Sequence, residues 1–267
     1  MRLHYDGSRF FGWQAQRDER TVQGEVEAAV ERLTGGRRRV IASGRTDRGV
    51  HATGQIAAVD VPRRWSPAEF GRAANAVLPD DVWVRDVRRV GSDFHPRYDA
   101  ISRTYLYRLG LHAEARSPFL RAWCWPLRGP LDRGLLDEAA VTLLGEHSFR
   151  AFAKAGQPER GERCTVHAAG WADWAGVGLA FTIRANRYLH HMVRYLVGTM
   201  VEVARRRRAP GEVRALLDGS RPGLETSAPA PPQGLFLSEV EYPEGVWGGE
   251  DTIARGLASM TNMTEVP

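Results

Sequence analysis

The strongest pattern of apolar and polar positions lies between residues 188 and 206. Leu189, Met192, Val193, Leu196, Val197, Met200, Val201 and Ala204 follow the i, i+3, i+4, i+7 spacing of an amphipathic helix. The spacing predicts a helix from about Tyr188 to Arg206, with His190, His191, Arg194 and Gly198 on the opposite face. A second stripe, Val22, Val26, Val30 and Leu33, predicts a helix that Thr21 caps and Gly35-Gly36 ends. Ser66-Pro67-Ala68-Glu69 has the form of a capping box with proline at the first helical position, so a third helix is expected to about Val77. A fourth is expected over 132–145. Residues 2–6, 38–43, 54–62, 81–87, 102–110, 164–173, 177–185 and 234–242 read as strands. The order is roughly βαββαβ, twice. It predicts an α+β fold of two ferredoxin-like or RRM-like lobes, with mostly antiparallel sheets and helices on one face. The lobes are expected at 1–98 and 99–243. Residues 226–233, TSAPAPPQ, read as an extended loop, and 244–267 as a tail with little pattern. No fixed-period repeat is present.

Composition narrows the picture only slightly. The 267 residues suffice for two lobes, and the net charge of +5 with a pI of about 9.6 leans toward a polyanionic partner. Nearly all the positive charge is arginine, with Lys154 the only lysine; coding bias in a GC-rich genome accounts for that skew without any function. Cys124 and Cys164 are too few and too far apart in sequence for a disulfide scaffold or a zinc motif, and read as structural. No run approaches the ~20 apolar residues of a membrane helix. The opening MRLHYDGSRFFGW lacks the basic and apolar regions of a signal peptide, so no membrane partner is expected and the cytoplasm is the expected location.

The candidate chemistry sits in GRTDRGVHATG, 44–54, where Arg45, Asp47, Arg48 and His51 stand among three glycines between two strands. Glycines let a backbone turn sharply and approach a ligand. Flanking arginines favour the ionised carboxylate, and an ionised carboxylate can act as a nucleophile. The same residues also fit an ordinary surface turn in which Asp47 bonds its own backbone. Tyr105 and Tyr107 share one face of a strand, and spacing does not separate them. The polar face of the 188–206 helix fits either a solvated surface or a functional one, although a mid-helix glycine such as Gly198 often marks a close neighbour. Phe10, Phe11 and Trp13 fit either packing beneath the loop or contact with RNA. RRR at 37–39 and RRRR at 205–208 fit either phosphate contacts or solvated ends of elements. Adjacent histidines on a helix point about 100° apart, which argues against a metal site at His190 and His191.

The sequence SGRTDRGVHATGQ (43–55) resembles the signature loop of the TruA family of tRNA pseudouridine synthases. YDGSRFFGWQAQ (5–16), NAVLPDDVWV (75–84), DFHPRYDAISRTYLYRL (93–109), LLGEHSFRAF (143–152), NRYLHHMVRYLVGTM (186–200) and GLFLSEVEY (234–242) are similar to further elements of that family, in its order, up to Tyr242. The resemblance implies the pseudouridine synthase fold, with its two sheets merging at a central cleft. It implies isomerisation of uridine to pseudouridine in the anticodon stem-loop of tRNA, at positions 38–40, with no cofactor and no metal. Asp47 is then the nucleophile, attacking C1′ of the ribose or C6 of the base. Tyr105 stacks on the base or moves a proton, and Arg194 pairs with Asp47. Arg45 assists extrusion of the base, with Arg48 and His51 as further substrate contacts. A homodimer acting on tRNA is expected. Two other readings stay open at this point: a non-catalytic tRNA-binding or RNA-chaperone protein on the same fold, and a metal-dependent hydrolase built on Asp47 and histidines.

Overall fold

The computed structural model describes residues 1–154 and 161–247. The chain divides into two units, Met1–Ile101 together with the chain from Leu237, and Ser102–Phe236. The first holds β1 (Arg2–Tyr5), α1 (Val22–Thr34), β2 (Ile41–Ala42), β3 (His51–Ala58), α2 (Pro67–Asn75) and β4 (Val82–Asp86). The second holds β5 (Ser102–Gly110), β6 (Trp125–Pro126), α3 (Arg133–Val141), β7 (Gly145–Ser148), β8 (Arg163–Trp174), β9 (Gly178–Ala185), α4 (Met192–Ala204) and α5 (Glu212–Asp218). All but the first two residues of the last strand, β10 (Leu235–Glu241), belong to the first unit. The fold is α+β, as its sequence predicts.

In the first unit the strands run in the order β4-β1-β3-β10, with β2 also on β3. β1 is antiparallel to both of its neighbours. Leu3, Tyr5, Val82 and Val84 share one face of this sheet, and they are buried with Val22, Val26, Val30 and Phe70 from the two helices. In the second unit β5-β9-β8-β7 are antiparallel throughout, and β6 runs parallel to β5. Tyr107, Leu109, Phe181 and Ile183 meet Leu136, Leu196, Val197 and Met200 in its core.

The helix starts follow from local chemistry. The Thr21 hydroxyl accepts from Gly24 N–H at the head of α1, and Gly35 ends it at φ +76°. Both halves of the Ser66–Glu69 capping box are present at α2.

Tertiary contacts override the sequence pattern elsewhere. Only two residues of the expected 38–43 strand pair as β2, because side chains from α1 take the backbone of Val40: Glu27 accepts its N–H at 3.0 Å and Gln23 donates to its carbonyl at 3.1 Å. β3 begins at His51, three residues before the expected start, since Ala52 pairs with Tyr5. α4 begins at Met192 and not near Tyr188, because Tyr188 is fastened to the sheet and His191 takes a left-handed conformation at φ +64°. α5 has no side-chain cap and β7 no apolar alternation, so neither carries a sequence signal. The expected tail, 244–267, lies outside the described residues beyond 247. Trp247 packs on Phe94 and Tyr242, with ring centroids 6.1 and 5.3 Å apart.

Candidate active site

The candidate loop is laced to the opening segment of the chain. Trp13 N–H donates to the Thr46 carbonyl at 3.0 Å, Gly49 N–H to Phe10 O at 3.3 Å, and Val50 N–H to Asp47 O at 3.1 Å. Gly12 lies at φ +94°, and a Cβ there would stand 2.7 Å from Thr46 O, so no larger residue fits under the loop. Phe10 and Trp13 are buried, which makes them the packing floor of the loop. Phe11 carries the Arg48 guanidinium 4.1 Å above its ring. On this floor Arg45 and Arg48 are exposed, Asp47 is half-buried and Thr46 points inward.

Beneath the loop lies a buried polar network. Gln55, in β3, has no exposed surface. Its Oε1 accepts from Ser43 Oγ at 2.7 Å, and its Nε2 donates to Gly44 O at 2.8 Å and toward Tyr5 OH at 3.5 Å. The Tyr5 and Thr46 hydroxyls are 2.7 Å apart. Sequence reading missed Tyr5, Thr46 and Gln55. The one available signal was a glutamine set directly before the apolar run Ile56–Ala58 of β3.

His51 lies in β3 with 1% of its surface exposed, and not on the open loop where a substrate contact was expected. Its Nδ1 is 3.0 Å from Gly7 N and 3.1 Å from Asp6 Oδ1. One nitrogen cannot accept from the amide and donate to the carboxylate at once. Nδ1 accepts from Gly7 N–H in one tautomer and donates to Asp6 in the other. Burial pushes the Asp6 carboxyl upward, but its hydrogen bonds with His51 and Ser8 outweigh that and hold it well below the usual range. His51 thus ties the loop's exit to the Asp6-Gly7 turn.

The second unit supplies Tyr105 and Arg194. Tyr107 is fully buried and donates to Pro231 O at 2.7 Å, whereas Tyr105 is half-buried. The structure thus distinguishes two tyrosines that spacing does not. Tyr105 meets Tyr188 edge to face, centroids 4.8 Å apart. The Tyr188 hydroxyl lies 2.9 Å from Ile183 O and 3.0 Å from Arg103 O, and burial, with Tyr105 beside it, raises its pKa well above that of a free phenol. Arg194 Nε donates to Ala230 O at 2.7 Å, and Ala230 N–H returns a bond to Arg194 O at 2.9 Å. Residues 226–233 therefore lie along α4 at Arg194. Gly198 is the point of closest approach, because a Cβ there would stand 2.2 Å from Ala228 O. At Arg194 and Gly198 the face opposite the apolar stripe is covered by backbone and is not a solvated surface.

Four further expectations meet the structure here. His190 and His191 precede α4, and their ring centroids are 4.1 Å apart, so the argument against a metal site from helical geometry does not apply. Arg205 and Arg207 both reach Glu202, at 3.4 Å, Arg206 reaches Asp132 at 2.8 Å and Arg208 reaches Glu212 at 2.7 Å. The arginine run is engaged in ion pairs within its own unit. Cys124 and Cys164 are free and buried, and burial pushes both thiols up to about 11, which leaves them unreactive at neutral pH. No described helix is long and apolar enough to cross a membrane.

Comparison with known proteins follows these residues across both units. A family model described as tRNA pseudouridine synthase matches residues 2–99 and 139–243. The first stretch contains the Asp47 loop and the second contains Arg194; Tyr105 falls between them. The chain is 39% identical over 257 residues to a tRNA pseudouridine synthase A of Maridesulfovibrio salexigens, covering 96% of this chain and 94% of that protein. It is 38% identical over 245 residues to the tRNA pseudouridine synthase A of Myxococcus xanthus, covering 92% of each. A third, from Moorella thermoacetica, is 40% identical over 242 residues, 90% of this chain and 97% of that protein. The chain belongs to the tRNA pseudouridine synthase family, whose members are isomerases converting uridine to pseudouridine.

Proposed function

We propose that this member of the family isomerises uridines 38–40 in the anticodon stem-loop of tRNA, with Asp47 as nucleophile. The observation that carries the reading is the mounting of Asp47: a half-buried carboxylate between two exposed arginines, on a loop fixed to the buried segment Phe10–Trp13. The reaction breaks N1–C1′, joins C5 to C1′, and exchanges the C5 proton for one on N1. It consumes no water and transfers no electrons, so it requires no redox cofactor. Asp47 attacks C1′ or C6, and both routes need an ionised carboxylate held in place.

The target base lies inside a stacked stem-loop and must be extruded before Asp47 can reach it. Arg45, exposed beside Asp47, supplies a guanidinium that bonds phosphate or stacks in the vacated position. Tyr105 receives the extruded uracil on its ring. Its edge-on contact with Tyr188 fixes the ring plane. Arg194, whose Nε donates to Ala230 O, is the proposed ion-pair partner of Asp47, as the family resemblance implies. Arg48 steadies the loop through Phe11 while facing the substrate. The protein works in the cytoplasm as a homodimer, as the family resemblance implies.

The substrate assignment is tested by incubating unmodified tRNA transcripts with the protein and mapping pseudouridine by carbodiimide adducts that stop reverse transcription. Stops at positions 38–40 are expected. Stops confined to another arm of the tRNA would overturn the assignment.

A further inference from the structure

Asp47 can act only if its loop holds it at the reacting carbon, and loop backbones move unless something fixes them. The lacing to Phe10 and Trp13 fixes the outer side of the loop. Its inner side rests on side chains, and these form one connected chain of hydrogen bonds. Ser43 donates to Gln55 Oε1, which orients the amide. The Gln55 amino group then faces Gly44 O and the Tyr5 oxygen. The Tyr5 hydroxyl in turn shares a hydrogen bond with Thr46 Oγ1 at 2.7 Å. The four side chains are between 0 and 6% exposed, so water does not compete for these bonds. They come from β1, β3 and the loop itself, and bond the loop at residues 43, 44 and 46, up to the residue before Asp47.

We infer that Tyr5, Thr46 and Gln55 are positioning residues for Asp47. The inference rests on Asp47 being the nucleophile. A satisfied buried network specifies one arrangement of the groups it joins, and displacement of a reacting group by about 1 Å can lower a rate on the order of 100-fold. The carboxylate's placement is therefore set on the far side of the loop from the substrate, by groups that never touch RNA.

The test uses Y5F and T46V, each of which removes a hydroxyl with little change of shape, with T46S restoring it and D47A run beside them. Single-turnover tritium release from C5-labelled tRNA, tRNA affinity and melting temperature are measured for each. Y5F and T46V are expected to lower the rate by about 10- to 100-fold at unchanged tRNA affinity, with T46S within about threefold of wild type. Wild-type rates in Y5F and T46V, or losses confined to melting temperature or affinity, would overturn the inference. If T46V fails to fold, the Y5F rate decides. An inactive D47A beside fully active Y5F and T46V would sink the positioning role alone, whereas an active D47A would sink the nucleophile assignment beneath it.

Discussion

His4 stands in β1 with its ring edge-on to Trp83, centroids 5.1 Å apart, and its Nε2 is buried without a partner. Burial, helped by the nearby charges of Arg85 and Arg2, lowers its pKa from 6.5 to about 4. The folded pKa is depressed, so below pH 6.5 the unfolded chain takes up a proton that the folded chain refuses until about pH 4. Stability is therefore lost across that window as pH falls, by about 1–2 kcal/mol once solvent screening is allowed for. His4→Gln should narrow the gap between urea midpoints at pH 7 and pH 4.5; an unchanged gap would show that His4 is not responsible. Residue identity in the sequence gives no hint of this behaviour. The same holds for His51, which stands in a glycine-rich motif yet faces inward to Asp6 and Gly7. Asp47, by contrast, was legible as a candidate, because the glycines and arginines around it are local.

Elements were legible wherever their signals are local. The Thr21 cap and the Ser66–Glu69 box depend on residues within one helical turn, and both are where the sequence puts them. The start of α4 and the extent of β2 depend on Tyr188 reaching β5 and β9 and on Gln23 and Glu27 reaching Val40, contacts that no periodicity records. Gly198 lies between these cases. Its place in the helix indicated a close neighbour, and the structure supplies the backbone of Ala228. Adding one methyl there must move residues 226–233 and, with them, the Ala230 carbonyl that holds Arg194. Gly198→Ala is expected to lower stability by about 1–3 kcal/mol and to reduce pseudouridine formation more than tRNA binding. Thermal melts with single-turnover rates check this, and wild-type values for both would mean that the loop does not orient Arg194.

For the whole molecule, a net charge of +5 is a weak guide to where RNA binds. Arg205 to Arg208 form the densest run of positive charge in the chain, yet they are occupied with Glu202, Asp132 and Glu212. Arg45 and Arg48 are fewer but exposed beside a half-buried carboxylate. The proposed site is thus marked by how its side chains are held and not by where charge accumulates. The βαββαβ order of the first unit could be read from patterning, whereas β6, β7 and α5 of the second unit and the grouping of β10 with the first could not, since strand pairing between distant segments leaves no local mark. Asp47 is the proposed nucleophile of the uridine isomerisation, and everything proposed for the loop depends on that role. It is tested most directly by tritium release from tRNA labelled at C5 of uridine, with wild type and Asp47→Ala measured side by side. Release by wild type and none above background by the variant, at similar tRNA affinity, is the predicted result. Release by both proteins would contradict it.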